Sequence, residues 1–243
     1  MSLVDAHIKD HPLVLRTEPH KGPAAEYRLV VDGFVPPDYL DIGVRVGDAI
    51  HNVRSALDAA VWHLAILGSG QDPPPRVNRR KVQFPIFQKV ADFESQGRDM
   101  IASLKDGPRA VIEGAQPCYR GDDSQLDALT LLARISNRDK HRVVVPMAVI
   151  PQSLEPNRDI TVDKGVNLLE IIYTNATLEN DATAIVLRFD RPTKVDMDVN
   201  ITTPIVFDLS AIGYPQGFVS YGKVLDAIAQ ETNALLTGLS PFF

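Results

Sequence analysis

Hydrophobic and polar positions follow two different periods along this chain, and the first is typical of β-strands. β-branched and apolar residues dominate residues 13–17 and 26–34, and Pro and Gly separate these two runs. Similar runs return over residues 143–209, where clusters of Asn, Asp, Gly and Pro divide them into short segments. The sequence therefore predicts an antiparallel β-sheet built from the N-terminal strands and residues 143–209.

The second period, near 3.6 residues, predicts helices across the middle of the chain and again towards its C-terminus. Long helices are expected near residues 41–67, 122–142 and 218–239, and shorter ones at 93–105 and 108–115. No stretch has the composition of a flexible linker, and no internal repeat is evident. We therefore predict one α+β domain over residues 1–243, with a helical core.

Polar side chains form a single stripe on the first long helix, whose sequence over residues 47–67 is GDAIHNVRSALDAAVWHLAIL. In a helical projection the stripe contains Asp48, His51, Arg54, Ser55, Asp58 and Trp62, with Asn52 at its edge. The opposite side is apolar. Exposed stripes are usually rich in Lys and Glu, whereas these side chains are types that make defined hydrogen bonds. The pattern leaves two interpretations open: a face in solvent, or half of a polar cluster.

The second long helix repeats this pattern over residues 126–142, whose sequence is LDALTLLARISNRDKHR. Thr130, Arg134 and Asn137 lie within about 40° of His141 in projection, and the other side carries Ala128, Leu129, Leu131, Leu132 and Ile135. Cations such as Lys140 also suit a helix C-terminus, where they meet the negative end of the macrodipole. We predict that the two helices share a polar cluster.

Charge and cysteine content limit the classes of function. The chain of 243 residues has a formal net charge of −6, so attraction of the whole molecule to nucleic acid or to an anionic membrane is not expected. RNA would need a local basic patch, for which Arg76, Arg79, Arg80 and Lys81 are the candidates. The single cysteine, Cys118, excludes an intramolecular disulfide and a CxxC pair. With no apolar leader and no run long enough to span a bilayer, we expect a cytoplasmic protein.

Three short motifs carry a resemblance to known proteins. The chain contains GDAIHNVRSALD, then FPIF, then NRDKHR, and in these segments it resembles a family of uncharacterised bacterial and phage proteins. It is also similar to HEPN-type helical nucleases, whose signature is an Arg and a His separated by four to six residues on one helix. Arg134 and His141 have that spacing. The HEPN resemblance implies a metal-independent ribonuclease.

In such a site, His141 would take a proton from a ribose 2′-hydroxyl. Arg134 or Arg54 would stabilise the charge that develops on the phosphorane, and His51 is the other catalytic candidate. The candidates for substrate binding are Asn52, Asn137, Asp58, Asp139 and Lys140. Among them, the asparagines would position the phosphate or fix a histidine tautomer, and the aspartates would orient a histidine or an arginine.

Two other functions fit the same residues. His51, Asp58, His141 and Asp139 are ligand types for a metal site between helices, although the nearby arginines would repel a cation. Alternatively, the cluster is a structural hydrogen-bond network in a non-enzymatic binding or assembly module. No GxxxxGK[ST], GxGxxG or GxSxG motif is present, so no cofactor is predicted. A homodimer is a further possibility that the sequence leaves open.

Overall fold

The chain divides into two compact units, each assembled from segments that are distant in sequence. A computed structural model describes the following residues: 7, 9–19, 25–77, 81–121, 127–139, 146–148, 160–174, 178–197, 205–208 and 218–243. Unit 1 comprises residues 1–39 and 146–207, and unit 2 comprises residues 40–145 and 208–243. The single α+β domain over residues 1–243 stays a prediction.

Unit 2 is helical and is built around one helix of 31 residues. Its helices are α1 (Tyr39–Ser69), α2 (Val90–Asp92), a π-helix (Phe93–Gly97), α3 (Arg98–Met100), α4 (Asp106–Gly114), a 3₁₀ turn (Pro117–Tyr119), α5 (Ala128–Asp139), α6 (Tyr221–Leu239) and a second 3₁₀ turn (Ser240–Phe242). Val46, Ile50, Leu57 and Leu64 of α1 are at most 2% exposed, as the predicted apolar face requires. On α5, Leu129, Leu132 and Ile135 are likewise buried.

Unit 1 contains a four-stranded antiparallel sheet. Its strands are β1 (Val14–Pro19), β2 (Ala25–Gly33), β5 (Leu168–Tyr173) and β6 (Thr183–Phe189), in the order β1-β2-β6-β5. The register places Leu29 opposite Ile185 and Leu187 opposite Ile171. Leu29, Ile185 and Leu187 are buried, and together with the other buried side chains of these strands they form the core of the unit.

Short strands complete the sheet structure. They are β3 (Pro146–Ala148), β4 (Ile160–Val162), β7 (Val195–Met197), β8 (Ile205–Asp208) and, in unit 2, β9 (Phe218–Ser220). β3 pairs with β8, and β4 pairs with β7, both antiparallel. The predicted α+β class, with an antiparallel sheet from the N-terminal strands and the later β-rich region, is confirmed.

Helix boundaries differ from the prediction in two places. The helix expected at 93–105 is instead a π-helix flanked by two short α-helical segments. The helix expected at 122–142 begins at Ala128, because the carboxylate of Asp127 accepts the backbone N–H groups of Leu129 and Thr130 and caps the first turn. Residues 122–126 and 140–142 lie outside the described residues.

The helices of the described residues differ from membrane spans in length or in composition. None combines the length and the apolar character that a membrane span needs.

Candidate functional site

A small polar cleft opens in unit 2, where α1, the segment after the Pro-rich loop and α5 meet. It has a volume of about 200 Å³ and is lined by Arg54, Asp58, Gln83, Phe84, Pro85, Ile86, Phe87, Met100, Ala133, Ser136 and Asn137. These residues come from all three segments that carry the sequence resemblance. The motifs that are separated along the chain therefore form one site.

Arg54 and Asp58 on α1 hold the backbone of Phe84 from both sides. Asp58 Oδ1 accepts the Phe84 N–H at 2.9 Å, and a guanidinium N–H of Arg54 donates to the Phe84 carbonyl at 2.6 Å. The two side chains are also ion-paired, with 2.9 Å between a guanidinium nitrogen of Arg54 and Asp58 Oδ1. Their spacing of four residues places them on one face of α1, so the pair acts as a clamp on Phe84.

Gln116 holds the same segment from its other end. Its side-chain amide donates to the carbonyls of Pro85, at 2.9 Å, and Ile112, at 3.1 Å, while its Oε1 accepts the Phe87 N–H at 3.2 Å. The backbone N–H of Cys118 then donates to the Phe87 carbonyl at 2.9 Å. Gln116 is fully buried, so its three hydrogen bonds are made away from water.

These bonds explain how an irregular segment can be buried. Residues 84–87 belong to no helix or strand, and Phe84 is fully buried. Buried backbone groups need partners, which regular secondary structure would otherwise supply. Here Arg54, Asp58 and Gln116 supply them, so one wall of the cleft is fixed by side chains.

Helix α5 forms the opposite wall through Ala133, Ser136 and Asn137. Asn137 is exposed, whereas Ser136 is buried. Arg134, on the same helix, donates to Gln88 Oε1 at 3.1 Å, just beyond the clamped segment. Thr130, expected on the polar side of this helix, is instead fully buried.

The structure brings three of the predicted site residues together and leaves three others, His51, Asn52 and Arg134, outside the cleft. Arg54, Asp58 and Asn137 line the cleft from two helices. His51 and Asn52 are exposed on α1 and do not line it, and Ser55 Oγ lies 3.5 Å from His51 Nε2. α1 thus divides its polar stripe between the cleft and solvent.

Several of the remaining predictions fall on residues that the structure does not describe. His141, Lys140 and the side chain of Asp139 lie outside the described residues, as do Arg79 and Arg80 of the proposed basic patch. Arg76 and Lys81, the other two members of that patch, are exposed. The catalytic and binding roles assigned to all of these residues stay predictions.

Metal binding has little support in the described ranges. They contain no group of three His, Cys, Asp or Glu side chains placed to hold a metal ion. Asp58, the one proposed ligand that lines the cleft, is already paired with Arg54. The metal hypothesis therefore depends on His141 and Asp139, about whose side chains the structure gives no information.

Charge in the cleft is balanced. Arg54 and Asp58 are its only lining residues with charged side chains and they neutralise each other, while Gln83, Ser136 and Asn137 contribute neutral polar groups. Behind the clamped segment, burial raises the pKa of the Cys118 thiol, which keeps it protonated and poorly nucleophilic at neutral pH. The arrangement suits hydrogen bonding to a neutral polar group better than attraction of a phosphate.

Sequence reasoning missed Gln116, Gln83 and Ser136. Gln116 stands in a turn between two helices, where no periodic pattern marks it, and its partners lie about thirty residues earlier in the chain. Ser136 lies within about 40° of Leu129 and Leu132 in projection, so the helical period places it on the apolar side of α5. The FPIF motif is the one sequence signal for this wall, and its link to the two helices comes from the resemblance.

Comparison with known proteins gave no match: no family model fits the chain, and no significant similarity was found among curated proteins or solved structures.

Proposed function

We propose that the chain is a non-enzymatic binding module, in which the polar cluster is a structural network that shapes a small cleft. One observation carries the proposal: the side chains of Arg54 and Asp58 form hydrogen bonds with the backbone of Phe84. A guanidinium that already holds a carbonyl and a carboxylate is a poor choice for stabilising charge on a passing substrate. The same bonds give the cleft a rigid wall. A rigid wall favours binding because little conformational entropy is lost when a ligand binds.

The size and chemistry of the cleft indicate its ligand. A volume of about 200 Å³ is below the usual range for drug-sized ligands, so a small molecule or a single projecting side chain fits. The balanced charge and the amide and hydroxyl groups favour a neutral group that both donates and accepts hydrogen bonds. Asn137 is the exposed group on the α5 wall and is expected to contact this ligand.

Substitutions in the two walls of the cleft test the proposal. Arg54→Ala or Asp58→Ala leaves backbone groups of Phe84 without a partner, so each should lower the free energy of unfolding by about 1–3 kcal/mol. Asn137→Ala should change it by less than about 0.5 kcal/mol, because Asn137 is exposed. Urea unfolding measures all three. Unchanged stability in both α1 variants would show that the clamp is not structural.

Binding is tested on the same proteins with small amides and alcohols as probes, observed by ligand NMR. Wild-type protein should bind some of them, and Asn137→Ala, although as stable as the wild type, should not. If no probe binds the wild type, or if Asn137→Ala binds equally well, the binding proposal is wrong.

A second candidate function is a HEPN-like, metal-independent ribonuclease in the cytoplasm. The observation that favours it is that Arg54 of α1 and Asn137 of α5 line the same cleft. Both helices contain motifs that carry the sequence resemblance. His141 would act as the base there, and RNA would be held by the basic patch. His141→Ala should then keep its stability and lose RNA cleavage measured with a chelator present. Cleavage that persists in this variant, or a wild-type protein that cleaves no RNA, rejects the ribonuclease.

A further inference from the structure

The side of α1 that faces away from the cleft is an exposed face about 39 Å long. Every position from Asp41 to Leu67 within about 60° of Asn52 is exposed except Ile66, which is half-buried. These positions are Asp41, Arg45, Asp48, Ala49, Asn52, Ser55, Ala56, Ala59, His63, Ile66 and Leu67. We call them the Asn52 face.

The composition of the Asn52 face differs from that of an ordinary solvated helix face. It has no Lys and no Glu, and its centre is formed by Ala49, Ala56 and Ala59. Arg45, Ala49, Asn52, Ala56, Ala59, His63 and Ile66 are spaced alternately by four and three residues. This spacing forms the seam along which two helices pack at a shallow angle, and small side chains let the helix axes approach closely.

Two pairs of side chains are placed symmetrically about the middle of this face. Asp48 and His63 lie equally far from the point between Ser55 and Ala56, and so do the exposed Val44, at the edge of the face, and Leu67. Asp48 and His63 make no hydrogen bond or ion pair within the part of the chain that the structure describes. A twofold axis through that midpoint would set Asp48 opposite His63 of a second copy, and Val44 opposite its Leu67.

We infer that the chain forms a homodimer in which the Asn52 faces of two α1 helices pack antiparallel. Ser55 and Ala56, both small, lie at the axis where the helices come closest. A parallel pair would place Asp48 against Asp48, whereas the antiparallel pair matches an acidic group with a histidine at both ends. The interface lies on the side of α1 that the cleft does not use, so it is independent of the proposed binding function.

Sedimentation equilibrium on the full chain tests the dimer. Wild-type protein should be dimeric at micromolar concentration, and Ala56→Lys should raise the dimer dissociation constant at least about tenfold. Ala110→Lys is the matched control, because Ala110 is also an exposed helical alanine of unit 2 and should leave the dimer unchanged. A monomeric wild type, or an Ala56→Lys variant that associates as tightly as the wild type, overturns the inference.

Charge reversal tests the antiparallel arrangement. His63→Asp should weaken the dimer because it sets two carboxylates opposite each other, and adding Asp48→Lys to that variant should restore association. Both positions are exposed, so neither change is expected to disturb folding. If the double variant associates no better than His63→Asp alone, the antiparallel pairing is wrong.

Discussion

At the scale of single residues, the cleft depends on side chains that bond to backbone groups. Arg54, Asp58 and Gln116 together satisfy buried groups of residues 84–87 that no strand or helix could satisfy. Such side chains are costly to lose, because the groups they leave behind stay buried without a partner. Conformation in this segment is thus set by three distant residues.

Gln116→Leu should lower the free energy of unfolding by about 2–4 kcal/mol, although leucine has a similar size. The substitution removes three hydrogen bonds and leaves the Phe87 N–H and the Pro85 carbonyl unpaired. Gln71→Leu, at an exposed position, is the control and should change stability by less than about 0.5 kcal/mol. Equal effects of the two substitutions in urea unfolding would contradict the role given to Gln116.

The sequence predicted part of this site and missed the rest for a physical reason. Helical periodicity places Arg54 and Asp58 on one stripe, because the two residues are four positions apart. Gln116 has partners about thirty residues away, and a single glutamine in a turn has no periodic neighbours that reveal them. The pattern of α1 also could not show that its polar stripe divides, with Asp58 in the cleft and His51 in solvent.

At the scale of elements, helix ends are fixed by contacts with neighbouring segments. Arg120 donates to Asp127, the capping residue of α5, at 2.7 Å, and also bonds to Glu231 of α6. The Asp127 side chain is only 3% exposed, so its charge depends on this partner. One arginine therefore links the start of α5 to α6.

Arg120→Ala should lower the free energy of unfolding by about 1–3 kcal/mol, because the buried Asp127 carboxylate loses its ion-pair partner. Arg98→Ala is a close control, since it also breaks an ion pair, with Glu94 at 2.6 Å, but one whose side chains are 52% and 38% exposed. That loss should cost less than about 1 kcal/mol. Thermal unfolding of both variants distinguishes them, and a larger loss for Arg98→Ala would refute the assignment.

Helix α1 approaches the turn that follows α3 closely at Gly68, and a substitution there tests this contact. A Cβ at Gly68 would lie well inside van der Waals contact with the carbonyl oxygen of Ser103. Gly68→Ala should therefore destabilise the protein by about 1–3 kcal/mol, despite the higher helix propensity of alanine. Gly222→Ala in α6, where a Cβ meets nothing within 4 Å, should instead stabilise it by about 0.5–1 kcal/mol. Stabilisation by both substitutions, measured in urea, would show that Gly68 is not at a close contact.

Among elements, sequence reasoning predicted the long ones well and the short ones poorly. α1, α6 and the strands β2 and β6 are long enough to show their period several times. β4 and β7 have three residues each, which is less than two full repeats of a strand pattern, and neither was predicted. Their positions depend on pairing with each other across the chain.

At the scale of the whole molecule, unit 1 should lose stability in acid. In unit 1, hydrogen bonds from the Asn167 side chain and from Arg191 lower the pKa of Asp190 to about 2, and the Asn167 N–H adds a third. The backbone N–H of Lys194 and the hydroxyl of Thr193 also lower the pKa of Asp163. A carboxyl with a lowered pKa in the folded state stabilises that state above its unfolded pKa, near 3.9. The stabilisation is lost as the pH falls towards 2.

Acidification from about pH 4 to about pH 2 should therefore destabilise unit 1, and Asp190→Asn should reduce that dependence on pH. Amide hydrogen exchange in β5 and β6 reports on unit 1, while fluorescence of Trp62, the single tryptophan, reports on unit 2. Exchange in the strands should increase in this interval in the wild type and less so in Asp190→Asn. Identical acid profiles for the two proteins would show that Asp190 does not contribute.

The order of the sheet has a consequence for synthesis on the ribosome. β2 pairs with β6, and Arg188 reaches Glu26 across 162 residues of sequence. The hairpin of β1 and β2 is translated early, but its partner strand emerges only after residues 40–145 have been made. During that interval one edge of β2 offers unpaired backbone groups to any other nascent strand. Slow or crowded translation should therefore increase mispairing or aggregation of β2 before β6 has been made.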